Sequence, residues 1–353
     1  MFKPVRRLIG AGVLVVLTAV FVLLARLLPK FWFSFYTGLS RAVIGVLGTV
    51  WGWLPVPVWE LLIPLLLAAV IAGLVVAIRK KKVLGWLAAL LELLVLLVFL
   101  FVSLWGLNHF APTIGEQTGL QVGTYTKEEL QAAAAYYADM ASQYSTRVER
   151  NENGSVVLPE FSVLSDEAIA AYGRLAEEND RYRLGISRVK PLLVSEAFAY
   201  MGTTGIYVCY TGEACVSTKT YALSQPFTIC HELGHSLAVA REDEANYLAF
   251  LACRASENDL FRYAGYYCAF IYCYNALYGE SPSSARALWK RCTDEILHDS
   301  SVHTAHNKQY EGKVQEAARA VNDAYLKTFD EPGVKSYGLV VDYLIAEYLQ
   351  NGQ

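Results

Sequence analysis

The chain has 353 residues, of which 54% are hydrophobic and 18% charged, with a formal net charge of -3 at pH 7. The apolar residues concentrate in the first 110 positions, leaving roughly 240 residues of ordinary globular composition, enough to bury one full core. No basic stripe runs through that second part, which removes the electrostatic case for a nucleic-acid partner.

Residues 1–110 read as a membrane region. The apolar runs 8–28, 61–78 and 83–107 each have the length a helix needs to cross the hydrocarbon layer. The first stops at Pro29 and Lys30, the second at the Arg79–Lys82 cluster, and the third carries Glu92 as its one carboxylate. Between the first two runs, residues 31–60 are rich in Trp and Phe and nearly chargeless, as expected of an interfacial or re-entrant segment. The alternative is a fourth span through Val43–Trp53, which would invert everything after it. Lys3, Arg6 and Arg7 precede the first run, and the second basic cluster follows the second run. With three spans, the positive-inside rule puts both clusters in the cytoplasm and everything from about Asn108 outside it. Trp51, Trp53, Trp59 and Trp105 then fall near the outer interface. The expectation is a multi-pass protein of the cell membrane, with the lipid bilayer as its partner and an extracytoplasmic C-terminal domain.

Residues 111–124 read as a linker, and 125–353 as one domain of mainly α (α+β) class. Lys127–Arg147 and Asp166–Arg183 have helical periodicity, the latter with Ser165 as its cap. Gly205–Tyr210 and Ala214–Ser217, separated by Thr211-Gly212-Glu213, form the pattern of a β-hairpin. A helix is expected from Ser224 or Gln225 to about Ala240, with Pro226 in its first turn, and another over Glu244–Cys253. Leu260–Tyr278 is apolar but holds six tyrosines, Arg262 and Asn275, so it reads as a buried helix rather than a span. Ser284–Asp299, Val314–Phe329 and Tyr337–Leu349 complete a helical domain. The seven cysteines match no zinc-finger spacing. Cys209 and Cys215 bracket a short turn that an oxidising compartment could bridge.

The chemistry is concentrated in His231-Glu232-Leu233-Gly234-His235. A four-residue spacing puts both imidazoles on one helix face, where they can hold one Zn2+ ion, with Glu232 beside them as a general base rather than a ligand. Catalytic zinc has three protein ligands and an open position. Glu244, at the start of the next helix, is the expected third ligand, and Glu242, two residues earlier, is its competitor. His298, His303 and His306 lie in a polar stretch whose spacing suits no helix-borne pair. Asn246 is a candidate outer-shell partner of a ligand histidine. Tyr210 is the candidate donor to the developing oxyanion, with Tyr207 and Tyr337 as alternatives. The Ile206–Tyr210 strand suits an extended peptide pairing along its edge.

The stretch PFTICHELGHSLAVAREDEANYLAFLAC, the N-terminal spans and the late KSYGLVVDYLIAEY together resemble a bacterial membrane family, domain of unknown function 3810, regarded as zincin-like. More widely, the site is similar to the gluzincins. That likeness implies a zincin-like domain with a small sheet beside the active-site helix. It also implies His231 and His235 as zinc ligands, Glu232 as base and Glu244 as the glutamate of the following helix. The expected function is zinc-dependent hydrolysis of peptide bonds, in peptides or envelope proteins, at the outer face of the membrane. The alternative is a membrane-anchored zinc-binding sensor or scaffold without turnover. Spacing departs from the gluzincins, since only eight residues separate His235 from Glu244.

Overall fold

The computed structural model describes residues 3–351 apart from Asp330 and the side chains of Lys3 and Tyr337. Four long helices come first: α1 (Lys3–Leu27), α2 (Pro29–Gly52), α3 (Val58–Arg79) and α4 (Val83–Leu104). Each is long and apolar enough to cross a membrane. Three of them cover the expected runs, and α2 fills most of the segment read as interfacial.

The sequence of α2 explains why it behaves differently from its neighbours. Trp32, Tyr36, Ser40, Ile44, Gly48 and Gly52 recur every four residues and are buried. Phe31, Phe35, Leu39, Val46 and Val50 form an opposite, exposed apolar stripe. The buried stripe packs on protein along its whole length. The Tyr36 hydroxyl donates to Ser103 O at the end of α4 (2.9 Å), and Asn108 donates to Ser40. A Cβ on Gly48 would lie 2.2 Å from Ile186, so glycine there permits the close approach. Both ends of α2 therefore stay beside the globular part.

After a 3-10 turn at Gly106–Phe110 come α5 (Ile114–Thr118), α6 (Lys127–Ser145) and α7 (Phe161–Glu178). Thr113 with Glu116, and Thr126 with Glu129, make capping boxes that start α5 and α6. The expected linker is thus partly helical. Ser165 is not a cap: α7 begins a turn earlier, and the Ser165 hydroxyl accepts the Val189 N–H at 2.9 Å. Next come β1 (Lys190–Pro191), α8 (Ser195–Met201), β2 (Gly205–Val208), β3 (Glu213–Val216), α9 (Ser224–His235) and α10 (Glu242–Ala255). The chain ends with α11 (Asp259–Glu280), α12 (Pro282–Trp289), α13 (Asp294–Lys308), α14 (Lys313–Lys327) and α15 (Val340–Asn351). The Tyr-rich α11 is a core helix packed along α6, as its composition predicts. The helix expected over Ser284–Asp299 is divided into α12 and α13.

In the sheet β3 is central, parallel to β1 and antiparallel to β2, so the predicted hairpin is present and β2 is an edge strand. All seven cysteines are free. Cys209 packs with Trp105 and Ala240, and Cys215 with Leu192 and Phe198, so the two thiols face separate clusters and the bridge that an oxidising compartment could have formed is not present.

A buried ion pair fastens the membrane region to the sheet. Lys190 Nζ lies 2.6 Å from Glu213 Oε1 and also donates to Trp51 O and Val56 O. The Glu213 carboxylate accepts the Val58 and Trp59 N–H groups, satisfying donors at the start of α3. Both side chains are 2% exposed. Glu213→Ala is expected to leave a buried ammonium unpaired and to destabilise the fold by about 3–5 kcal/mol. Thermal unfolding of the full chain in detergent checks this, and an unchanged midpoint would dismiss the clamp.

Candidate metal centre

The whole of Gln225–His235 is buried, so α9 is a central helix whose polar side chains must find partners inside the protein. His231 and His235 stand one turn apart with ring centroids 4.6 Å from each other. His235 Nδ1 lies 2.7 Å from Val239 O. A carbonyl only accepts, so that nitrogen carries the proton and Nε2 keeps a free lone pair. His231 Nδ1 is 2.9 Å from Asn246 Oδ1, which sets its tautomer in the same way. Asn246, considered from the sequence as a partner of one of the two histidines, is thus hydrogen-bonded to His231.

The chain then reverses tightly through Ala238, whose φ of +64 is rare for a residue with a side chain. This reversal carries the first residue of α10 back to the histidines. Glu242 Oε2 lies 3.2 Å from His231 Nε2 and 3.7 Å from His235 Nε2. It has no aligned hydrogen-bond donor, and neither does Glu232 Oε2. One ligand atom from each of His231, His235 and Glu242 falls within a 4.8 Å group. Two imidazole Nε2 atoms and a carboxylate oxygen converging in this way suit a divalent cation.

The expected third ligand, Glu244, is not part of this group. Its carboxylate accepts the Ile114 N–H at 2.9 Å and the Tyr343 hydroxyl at 3.0 Å, and pairs with Arg241 at 3.2 Å. The reason is helical geometry. Two residues along α10 turn the side chain by roughly 200°, whereas four return it to the same face. Glu242 and Asn246 thus share the histidine-facing side, and Glu244 points away to anchor the start of α5.

Tyr210 is also elsewhere. Its hydroxyl donates to Leu97 O at 2.9 Å, tying the hairpin to α4. Tyr207 is the tyrosine at the site: its ring lies 6.5 Å from that of His235, and its buried hydroxyl has no partner. The side chain of Tyr337 lies outside the described residues. The polar stretch with His298, His303 and His306 is helical, and His303 stacks on Tyr221 while His306 meets Lys219 O.

Burial pulls His235 down to about 4, which keeps that imidazole neutral at ordinary pH. At His231 burial also works against the charged form, but hydrogen bonding and charge from Glu242 outweigh it and hold the imidazole above its ordinary value. Burial also raises Glu232 to about 8, partly offset by His231. For Glu242, burial works against ionisation, but the two histidines outweigh it and hold the carboxyl below its ordinary value. A raised acid pKa means the metal-free folded chain keeps a proton that the unfolded chain releases above about 4.5. That stabilising contribution is full below 4.5 and is lost as pH rises through about 8. Metal-free Glu232→Gln is expected to lack this loss. Melting midpoints of both proteins across that pH window check it, and parallel curves would refute it.

The membrane region supplies residues that sequence reading left out of the site. Trp105, at the end of α4, lies edge-on to His235 at 5.3 Å and packs on Tyr207 at 5.1 Å. Its indole N–H donates to the Tyr325 hydroxyl, which also meets His109 Nε2 at 3.0 Å. His109 Nδ1 in turn pairs with Glu331. His109 is therefore buried among polar contacts beside Trp105. The sequence signal was slight: a Trp and a His just past an apolar run.

Neither curated proteins nor solved structures show a match to this chain. The model of a protein family described as a protein of unknown function (DUF3810) matches residues 35–345, which takes in most of α2, all of α3 and α4, and the whole of the candidate centre. By that match the chain belongs to the DUF3810 family.

Proposed function

We propose that this chain is a membrane-anchored, zinc-dependent peptidase in which His231, His235 and Glu242 hold the metal and Glu232 is the general base. The observation that carries the reading is the pair of buried, unpartnered carboxylate oxygens, on Glu232 and Glu242, beside two histidines whose Nδ1 atoms are already engaged. A purely structural site needs no second carboxylate next to the ligands. Bound zinc would lower the pKa of a water molecule and polarise a peptide carbonyl. Glu232 accepts the proton of the attacking water and returns it to the departing amine. Tyr207, whose ring lies 6.5 Å from that of His235 and whose hydroxyl has no partner, takes the oxyanion-donor role first considered for Tyr210. The outer edge of β2 is available for an extended peptide. Gly205 on that strand leaves room for the base, since a Cβ there would sit 2.4 Å from Glu232 Oε1.

In this reading α1, α3 and α4 cross the bilayer and α2 lies along its surface, because both of its ends are held at the globular part. Three spans with the basic residues at 79–82 in the cytoplasm place the centre outside the cell, against the membrane. Its substrates are then peptides or envelope proteins reached at that surface. The test is metal content and proteolysis of the full chain in detergent, since the clamp at Lys190 and the packing of Trp105 tie the two parts together. About one zinc per chain is expected, with peptide-library cleavage abolished by a chelator and restored by zinc. A folded chain that takes up no zinc would overturn the proposal.

A further inference from the structure

A second site lies on the far side of Ser236, between α2 and the 180–185 loop. It is a cavity of about 400 Å³ whose charged lining comprises Arg41, Arg181, Arg183 and Asp180. Asp180 is already paired with Arg183 at 2.6 Å. Arg181 gives one hydrogen bond to Gln117, while its Nη1 is buried without any partner. Arg41 donates to Arg183 O at 2.9 Å, so its guanidinium is held at the rim rather than free to leave it. The excess of guanidinium over carboxylate around the cavity calls for an anion with several acceptor oxygens. Phosphate has that shape, and Arg forks match it.

The surroundings indicate where the phosphate comes from. Ala42, which also lines the cavity, lies one helical turn from Leu39 and from Val46, which are 56% and 63% exposed on the apolar stripe of α2. A molecule with its phosphate among the arginines can lay its hydrocarbon along that stripe. A free ion would use only the cavity. We propose that this cavity binds a phosphate group, delivered as the headgroup of a membrane phospholipid whose chains lie against α2. This rests on α2 facing lipid and not on the peptidase reading.

The test uses the full chain, delipidated in mild detergent, and native mass spectrometry. The probes are phosphatidylglycerol, diacylglycerol with the same chains, and inorganic phosphate. Phosphatidylglycerol is expected to bind at least roughly tenfold more tightly than diacylglycerol. Arg41→Gln and Arg181→Gln should each weaken it by about tenfold, whereas Arg291→Gln, on an exposed side chain far along the sequence, should not. Equal binding of the two lipids by the wild-type chain would overturn the proposal even if a variant failed to fold. Arginine variants that fold and retain phosphatidylglycerol fully would also overturn it. Arginine-dependent binding of inorganic phosphate without a preference for phosphatidylglycerol would overturn the lipid source.

Discussion

Glu242→Ala is expected to cost the full chain its zinc, whereas Glu244→Ala keeps the metal and loses stability instead. Glu242 offers an oxygen with no hydrogen-bond donor, 3.2 Å and 3.7 Å from the two Nε2 atoms. Removing it leaves two ligands and should lower affinity by more than about 100-fold, beyond the 10–100-fold typical of outer-shell changes. Glu244 receives the Ile114 N–H and the Tyr343 hydroxyl. Its removal strands those donors and should destabilise the protein by about 2–3 kcal/mol with zinc content intact. Metal analysis and thermal unfolding of the two variants side by side separate these effects. Zinc lost from Glu244→Ala alone, in a folded protein, would restore Glu244 as the ligand and dismiss Glu242.

Glu232→Gln should produce the largest loss of turnover. Glutamine preserves the shape of the side chain but cannot take the proton from water. General-base catalysis contributes roughly 10²–10⁴-fold, so kcat should fall by that factor with zinc bound at its wild-type level. Since burial raises Glu232 to about 8, the group has a high proton affinity in the metal-free chain, and the ligands' cation is what would keep it ionised at neutral pH. A Glu232→Gln protein that retains both zinc and full cleavage would eliminate this glutamate as the base. One that loses zinc as well would show that Glu232 helps to hold the site together.

Local periodicity made much of the architecture readable. The three most apolar runs become α1, α3 and α4 because spanning length and hydropathy are properties of a single segment. The hairpin follows from two short β-prone runs around Gly212, whose φ of +65 the turn requires. His231 and His235 could be paired from spacing alone, because every α-helix returns to the same face after four residues.

What the sequence could not determine depends on where elements begin and what they meet. The choice between Glu242 and Glu244 turned on the first residue of α10, set by the reversal at Ala238, because a shift of two residues sends a side chain to the opposite face. Tyr210 and Tyr207 are similar in sequence terms, yet α4 takes the first at Leu97 and leaves the second beside His235. The interfacial course proposed for α2 rests on its contacts with Ser103, Asn108 and Ile186, not on its composition, which also permits a span. Segment type is written in nearest neighbours along the chain. The approach of Trp105 to His235 and the arginine cavity arise from residues far apart in sequence, and only packing brings those together.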